Sequence, residues 1–255
     1  MVFSSLFFLY IFLPLCLLLY FIQRSLTAKN IVLLCASLVF YAWGEPVYVL
    51  LMLAVAALNW GFSLAFEKKR SRALLALCVA LNLSGLIVFK YAGFLVENCN
   101  AIFKTAFAVP QISLPIGISF YTFQTLSYVI DIYRGRLMPE RHPGYYALFV
   151  SFFPQLVAGP IERSTALLPQ LHAQERRMDS SGWLWMVRGF AKKLLLADTA
   201  AVFVDSVYAS PTDASGPAVL LATLLFAGQI YWDFSGYSDI AVGAAALLGV
   251  RLSRN

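Results

Sequence analysis

The stretch YWDFSGYSD, Tyr231–Asp239, lies between two apolar runs, VLLATLLFAGQI at 219–230 and IAVGAAALLGV at 240–250. Joined through the stretch, these runs are long enough for a membrane-spanning helix, which needs about 20 mostly apolar residues. The stretch nevertheless places two carboxylates, Asp233 and Asp239, where hydrocarbon is expected. Because a charge at that depth is costly and usually marks a function, the stretch predicts a helix that faces other helices or a water-filled path.

The composition of the whole chain is typical of a membrane protein. Of its 255 residues, 60% are hydrophobic and 13% are charged, whereas a soluble domain carries about 25% charged residues. Long apolar runs such as Val47–Phe66 lack the period-two alternation of a transmembrane barrel strand. The sequence therefore predicts an all-α fold, a polytopic transmembrane helical bundle with short re-entrant or broken helices. We expect one membrane domain over residues 1–255, with the lipid bilayer as its surroundings.

The net charge of +6 is attributed to cytoplasmic loops, because positive charges concentrate on that side of membrane proteins. The sequence has no basic block interleaved with aromatic residues, so no nucleic-acid partner is predicted. We expect the first run, Phe3–Ile22, to be a retained helix and not a cleaved signal, since it lacks a basic start and a small-residue cleavage site.

Four apolar runs open the chain: Phe3–Ile22, Ile31–Trp43, Val47–Phe66 and Ala73–Val96. The second and third are separated by Gly44-Glu45-Pro46, which predicts a tight turn because proline ends a helix. The basic turn Glu67–Arg72, the pair Arg24 and Lys29, and the arginines that follow Leu114–Tyr133 all fall on the cytoplasmic side if the N-terminus is outside.

The second half of the chain contains a break in the apolar pattern at FFPQLVAGPIER, Phe152–Arg163. The run Tyr145–Ala158 ends at Gly159-Pro160 and is too short to span, which favours a re-entrant or buried segment. A break at membrane depth is tolerated where protein or a water cavity surrounds it. We therefore take this segment, with its polar residues Gln155 and Glu162, as the second functional candidate.

The connection Glu162–Ser181 is predicted to be a polar loop. The following segment, Trp183–Tyr208, is predicted to be interfacial at its start and buried later. Three cations cluster in its first half: Arg188, Lys192 and Lys193.

The polar residues of YWDFSGYSD would point in several directions on one helix. Asp233 and Asp239 are separated by about 240° around the axis, so a paired-carboxylate site is not favoured. Ser235 and Asp239 share one face, and Asp233 and Tyr237 share another. A substrate path and structural hydrogen bonding both remain open for these residues. Ser238 is not supported as a nucleophile, because the G-x-S-x-G pattern fails at residue 240.

Neither the histidines nor the cysteines form a recognisable site. His142 and His172 lie in polar stretches and are interpreted as solvated surface residues. The four cysteines occur singly, without CxxC spacing, so no metal site is predicted. The residues alone thus predict a helical membrane protein with two unusual segments, and they leave an enzyme and a transporter open.

Four motifs occur in a fixed order: MVFSSLFFLYIFLP, LPIGISFYTFQTLSYVIDIYRG, FFPQLVAGPIER followed by LLPQL, and YWDFSGYSDIAVGAAALLG. In this order they resemble the membrane-bound O-acyltransferase (MBOAT) superfamily, in particular its bacterial membrane subunits of alginate O-acetylation. The resemblance extends from Met1 to the end of the sequence.

The resemblance implies an O-acetyltransferase membrane subunit. Such a protein passes acetyl groups from a cytoplasmic donor across the bacterial inner membrane for O-acetylation of an exopolysaccharide, alginate before others. It implies acetyl-CoA as donor with no bound cofactor, periplasmic polysaccharide O-acetylation proteins as partners, and a polysaccharide acceptor reached indirectly. D-alanyl transfer to teichoic acid and a non-enzymatic transporter subunit remain alternatives.

The resemblance also implies where the chemistry lies. The family's acyl-transfer histidine occurs in a Trp-His segment after the YWDFSGYSD block, and this chain contains no Trp-His pair. We therefore expect that segment beyond Asn255, a C-terminally truncated domain that is inactive alone, and no catalytic residue here. The residues expected to line the substrate path and to orient rather than attack are Asp233, Ser235, Tyr237, Ser238, Asp239, Gln155, Glu162 and Arg163.

Overall fold

The computed structural model describes residues 2–156, 159–160, 162–210 and 212–253. Within these ranges the regular elements are helices and none is a strand, which confirms the all-α prediction. The α-helices are α1 Leu13–Ile22, α2 Leu26–Ala42, α3 Tyr48–Lys68, α4 Arg72–Phe103, α5 Ile118–Tyr133, α6 Pro143–Ser151, α7 Phe153–Leu156, α8 Ser164–His172, α9 Ser181–Phe190, α10 Asp198–Ala209 and α11 Gly216–Leu247.

Three of these helices, α3, α4 and α11, are long and apolar enough to cross a membrane. The apolar segments Phe8–Ile22 and Leu26–Ala42 are shorter. The chain is therefore a membrane protein. The predicted first span, Phe3–Ile22, is not one regular helix, because Phe8–Phe12 is π-helical. Pro14 explains this, since it cannot donate a hydrogen bond to the carbonyl of Tyr10 and its ring crowds that carbonyl.

The chain packs as two compact units. The α3–α5 unit comprises Asn30–Val157 and Ile161–His172, and the α9–α11 unit comprises Met1–Lys29, Ala158–Pro160 and Ala173–Asn255. Each unit has its own set of internal contacts. The single domain over 1–255 stays a prediction.

At one end of the α3–α5 unit, two tyrosine hydroxyls join the ends of α2 and α3 to the segment before α5 by hydrogen bonds. The hydroxyl of Tyr41 donates to the carbonyl of Ile116 at 2.9 Å, and that of Tyr48 donates to the carbonyl of Ser113 at 2.9 Å. The segment before α5 therefore lies on the same side as the turn 43–47. That turn separates α2 from α3, as the Gly-Glu-Pro triplet predicted.

The cationic turns meet at the opposite end of the same unit. The Arg141 guanidinium pairs with Glu67 at 2.7 Å, and a Cβ placed on Gly135 would lie 2.9 Å from the Arg70 guanidinium. The turn between α3 and α4 and the turn after α5 thus share one side, as predicted. The positive-inside rule predicts that this side of the unit is cytoplasmic, and that orientation stays a prediction.

A reciprocal amide pair joins α3 to α4 in the core of this unit. The Asn59 side-chain amide donates to the Asn82 oxygen at 2.8 Å, and the Asn82 amide donates back at 3.0 Å. Both residues are buried beside Cys78. Within a bilayer the hydrophobic effect does not drive helices together, so interhelical hydrogen bonds of this kind add to the stabilisation from packing.

The described part of the predicted short run, 145–156, is a broken helix, as predicted. Residues 157, 158 and 161 of the surrounding motif lie outside the described ranges. Helix α6 ends at Ser151, Phe152 has non-helical torsions, and α7 begins at Phe153. Pro154 contributes to the break, because it cannot bond to the carbonyl one turn before it.

The predicted polar loop 162–181 is wrong in its first half, which forms α8. Leu167, Leu168 and Leu171 are buried along one side of this helix, and their burial outweighs the proline at position 169. The side-chain amide of Asn30 donates to the carbonyl of Leu171 at 2.9 Å and so caps the last turn.

In the α9–α11 unit, α9 and α11 run antiparallel with their backbones in contact at glycines. A Cβ on Gly182 would lie 2.5 Å from the carbonyl oxygen of Gly243, and a Cβ on Gly189 would lie 2.5 Å from that of Gly236. Small residues that allow close helix approach were predicted for Gly236 and Gly243, and the structure confirms that role.

Replacing Gly189 by alanine should destabilise the protein. In a helix, alanine is normally favoured over glycine by about 1 kcal/mol, but the new methyl would collide with the Gly236 carbonyl, and overpacking costs about 1–3 kcal/mol. Thermal unfolding of the purified intact protein in detergent measures the effect. Gly85→Ala in α4 is the matched control, because nothing lies within 4 Å of its added Cβ, and its midpoint should stay level or rise. Equal shifts in both variants would contradict the close contact.

Candidate functional site: an ion-pair network on α11

The segment that faces α11 is helical throughout but changes its winding where the cations lie. Helix α9 continues into a π-helix, Ala191–Ala197, which continues into α10. π-helical turns are rare and are frequent at functional sites. This one carries Lys192 and Lys193, one turn beyond the Gly189–Gly236 contact, so both lysines reach the polar stretch of α11.

Lys192 binds one face of that stretch. Its ammonium group donates to the Ser235 hydroxyl at 2.7 Å and forms an ion pair with Asp239 at 2.6 Å. The Lys192 and Asp239 side chains are only 18% and 15% exposed. The Arg188 guanidinium, largely exposed, lies 3.8 Å from the same carboxylate. Asp239 is thus held between two cations and would be costly to leave unpaired.

Lys193 binds a second face. Its ammonium group lies 2.8 Å from a carboxylate oxygen of Asp233 and 2.8 Å from one of Asp198. Burial by itself lowers the pKa of Lys193, but hydrogen bonds to Asp198 and Asp233 outweigh it and raise the pKa. Lys193 is therefore cationic across the physiological pH range.

Together these residues balance three cations against three carboxylates. The pairing allows charged groups to lie beside an apolar helix, since unpaired charge at membrane depth is rare and costly. A carboxylate held in place by a lysine can orient a hydroxyl or another polar group of a substrate. The network is suited to positioning and electrostatics rather than to attack on an acyl group.

The geometry confirms two predictions about the stretch. Asp233 and Asp239 do not form a carboxylate pair, because each pairs with its own lysine. Ser235 and Asp239 share a face, because both contact Lys192. The prediction that these residues line a substrate path is not decided by the contacts.

The remaining two candidates on α11 are packed inside the α9–α11 unit. The Tyr237 ring lies 4.7 Å from the ring of Phe3. Ser238 is buried, which agrees with its not being assigned as a nucleophile. These contacts are of the structural kind that the sequence left open.

Sequence reasoning noted the cluster of Arg188, Lys192 and Lys193 but missed its partners. A usable signal was present: Arg188 and Lys192 have the same four-residue spacing as Ser235 and Asp239. Two such pairs on antiparallel helices can contact each other. Whether they do so depends on the register of the two helices, which the glycine contacts set.

The second predicted segment lies in the α3–α5 unit, and Gln155 is explained there by the break in the helix. In an unbroken helix the carbonyl of Phe149 would accept from the amide of Phe153. That amide instead donates to the Ser37 hydroxyl at 3.1 Å. The Phe149 carbonyl accepts from Gln155 at 2.6 Å and from Gln124 at 3.2 Å. Gln155 thus satisfies a backbone group that the break would leave unpaired.

Glu162 and Arg163 follow the same break. Glu162 is buried, and its carboxylate accepts from the backbone amide of Arg163 at 3.3 Å. The Arg163 side chain is exposed and lines a cavity in the α3–α5 unit. The eight candidates therefore divide between the two units, and a common path for them stays a prediction.

The two histidines are exposed, as predicted, but they are not isolated. The His172 imidazole lies 2.6 Å from the carboxylate of Glu140, and the Tyr145 ring lies 4.4 Å from the His172 ring and 4.9 Å from the His142 ring. Nothing in the local sequence signals this cluster, because Glu140 and His172 are distant in the chain. Among the described residues no group of three His, Cys, Asp or Glu side chains could hold a metal ion, and the expectation of no metal site stays a prediction.

Comparison with known proteins decides the family. No family model matches the chain. The chain is 40% identical to the probable alginate O-acetylase AlgI of Pseudomonas aeruginosa, over 100% of its own length and 51% of that protein. It belongs to the membrane-bound O-acyltransferase family. The chain spans about half the length of the curated relatives it matches.

The chain is also similar to two further proteins that are named as transferases. It is 32% identical to the peptidoglycan O-acetyltransferase of Helicobacter pylori, over 100% of its length and 55% of that protein. It is 24% identical to the teichoic acid D-alanyltransferase of Streptococcus thermophilus, over 53% of its length and 35% of that protein. The similarity to the two O-acetyl-transferring proteins is thus higher and covers the whole chain.

Breaking the Lys192–Asp239 pair should destabilise the protein, and removing both charges should not. Lys192→Met leaves the Asp239 carboxylate with only the largely exposed Arg188 guanidinium, 3.8 Å away, as a cationic partner, which costs up to about 3 kcal/mol, whereas an apolar pair of similar volume is often neutral. We expect Lys192→Met to lower the unfolding midpoint and Lys192→Met/Asp239→Leu to recover most of the loss. Lys193→Met is the control and should cost less, because its partner Asp233 is 50% exposed. A double variant as unstable as the single one would show that the pair is not the stabilising contact.

Proposed function

We propose that the protein represented by this chain is an O-acetyltransferase membrane subunit of the bacterial inner membrane. It passes acetyl groups from a cytoplasmic donor for O-acetylation of an exopolysaccharide, with alginate as the first candidate. The observation that carries the proposal is the 40% identity, over the whole chain, to a protein named alginate O-acetylase. The Helicobacter pylori relative is also named for O-acetyl transfer but to another polymer, so the reaction is better supported than the acceptor.

We propose acetyl-CoA as the donor. Over the complete reaction the thioester C–S bond breaks, an ester C–O bond forms at a sugar hydroxyl, and the hydroxyl proton ends on the CoA thiol. Periplasmic polysaccharide O-acetylation proteins would complete the transfer to the polymer. The ion-pair network around Lys192 and Asp239 supports a positioning role in this scheme, since it fixes polar groups beside an apolar helix. No residue of this chain is assigned the attack on the acyl group.

D-alanyl transfer to teichoic acid is the second candidate. It is favoured by the similarity to a teichoic acid D-alanyltransferase, which covers 53% of the chain. Both candidates move an acyl group through a membrane protein and differ in the group and the polymer. The named relatives give no support to a non-enzymatic transporter subunit.

Complementation tests the proposal and the role of Asp239 together. The intact gene is expressed in an alginate-producing bacterium that lacks its own O-acetylase membrane subunit, and acetyl esters in the secreted polymer are measured by proton NMR. We expect the wild-type protein to restore acetylation. Asp239→Asn should reduce acetylation, normalised to the amount of protein in the membrane, by about 10- to 100-fold, because small misplacements at a reacting centre cost rates of this order.

Asp205→Asn is the matched control. It makes the same chemical change at an exposed position of α10 that lies outside the network. It should acetylate like the wild type. Protein that is present in the membrane but restores no acetyl ester would contradict alginate O-acetylation. D-alanyl esters on teichoic acid in a suitable host would then favour the second candidate. Full acetylation by Asp239→Asn would refute the positioning role alone.

A further inference from the structure

A cavity of about 670 Å³ lies in the α3–α5 unit between α4, α5 and the start of α8. One wall is apolar: Leu83 comes from α4, and Phe123, Leu126 and Ile130 come from α5. The Phe123 side chain is 53% exposed, so the wall is open to the surroundings of the helix. Lipid chains are an apolar occupant that suits such a wall.

The other part of the cavity is cationic. Arg134, at the end of α5, lines it together with Arg136 and Arg163. Arg136 pairs with Asp131 at 3.6 Å. The guanidinium groups of Arg134 and Arg163 are exposed and form no ion pair with any residue in the described ranges. The rim therefore has two cations whose charge this part of the chain does not neutralise.

The start of α8 adds to this positive potential. Thr165, in its first turn, lines the cavity, and the first turn of a helix carries a partial positive charge that favours anions. The feature would not define a site by itself. It has the same sign as the two arginines beside it and points to an anionic ligand.

The dimensions of the cavity match one leaflet of a bilayer. Phe123 and Arg134 are eleven residues apart on α5, which is about 16 Å along a helix. Half of the hydrocarbon core of a bilayer is about 15 Å thick. The cationic end lies beside the turns that carry Arg70 and Arg141, on the side assigned to the cytoplasm, where anionic lipids attract basic groups.

We propose that this cavity binds an anionic phospholipid of the cytoplasmic leaflet. Its phosphate contacts Arg134 and Arg163, and one acyl chain lies along α5 as far as Phe123. A neutral lipid would cover the apolar wall but leave the arginines without an anionic partner. A soluble phosphate would pair with the arginines but leave the apolar wall uncovered. The bound lipid would join α5 to the start of α8, directly after the broken helix. The proposal does not depend on acyl transfer.

Lipid binding to the intact, delipidated protein in detergent tests the proposal. Phosphatidylglycerol, phosphatidylcholine of the same chains, and adenosine 3′,5′-diphosphate are titrated separately, and binding is followed by native mass spectrometry. We expect phosphatidylglycerol to bind at least tenfold more tightly than phosphatidylcholine. Each of Arg134→Gln and Arg163→Gln should weaken it about fivefold, the size expected for one basic residue at an anionic lipid.

Two further variants separate the cavity from general surface charge. Arg141→Gln removes an arginine from the same side but outside the cavity, and its pair with Glu67 is exposed, so phosphatidylglycerol affinity should be unchanged. Ser127→Trp keeps every charge but fills the cavity from an exposed position on α5, so affinity should fall. Circular dichroism and gel filtration confirm that each variant is folded.

Three results would overturn the proposal. The first is equal binding of the two lipids. The second is loss of affinity in Arg141→Gln as large as in Arg134→Gln, which would indicate only surface charge. The third is displacement of phosphatidylglycerol by adenosine 3′,5′-diphosphate with the same dependence on Arg134 and Arg163, which would assign the cavity to a soluble nucleotide such as the donor's.

Discussion

The contact between the backbones of α9 and α11 is the constraint on which the candidate site depends. Gly182 meets Gly243, and Gly189 meets Gly236, with no room for a methyl group at either crossing. Two contacts, separated by two helical turns, fix both the distance between the helices and their register. Lys192 reaches Ser235 and Asp239 because that register brings the lysine level with them. The uncharged glycines thus determine which charged side chains of the two helices meet.

In the α3–α5 unit, a helix is broken but the backbone groups at the break still form hydrogen bonds. The amide of Phe153 and the carbonyl of Phe149 would bond to each other in a continuous helix. They bond instead to Ser37 on one side and to Gln124 and Gln155 on the other. Side chains from two other helices thereby stabilise the break. The buried glutamines here therefore have a structural role, which is to donate hydrogen bonds to a backbone carbonyl, and this role does not require a ligand.

The sequence predicted those features that depend on local pattern. Apolar length identified the membrane helices, the Gly-Glu-Pro triplet separated α2 from α3, and the polar positions of YWDFSGYSD gave two distinct faces on α11. It failed where contacts between distant segments decide the outcome. Helix α8 depends on buried leucines and on a cap from Asn30. Glu140 and His172, and likewise Lys192 and Asp239, meet only after the helices have packed.

The π-helical turn at Ala191–Ala197 constrains how this segment can change in length. A π-helical turn contains more residues than the α-helical turn that it replaces, so it absorbs a residue without altering the helix on either side. Losing one residue there would restore regular α-helical winding and leave the helices on either side in their present orientation. Lys192 and Lys193, which lie inside the turn, would then shift relative to those helices, while the glycine contacts before the turn would be untouched. The chain length between Gly189 and Asp198 is therefore as much a part of the network as the identity of its charged residues.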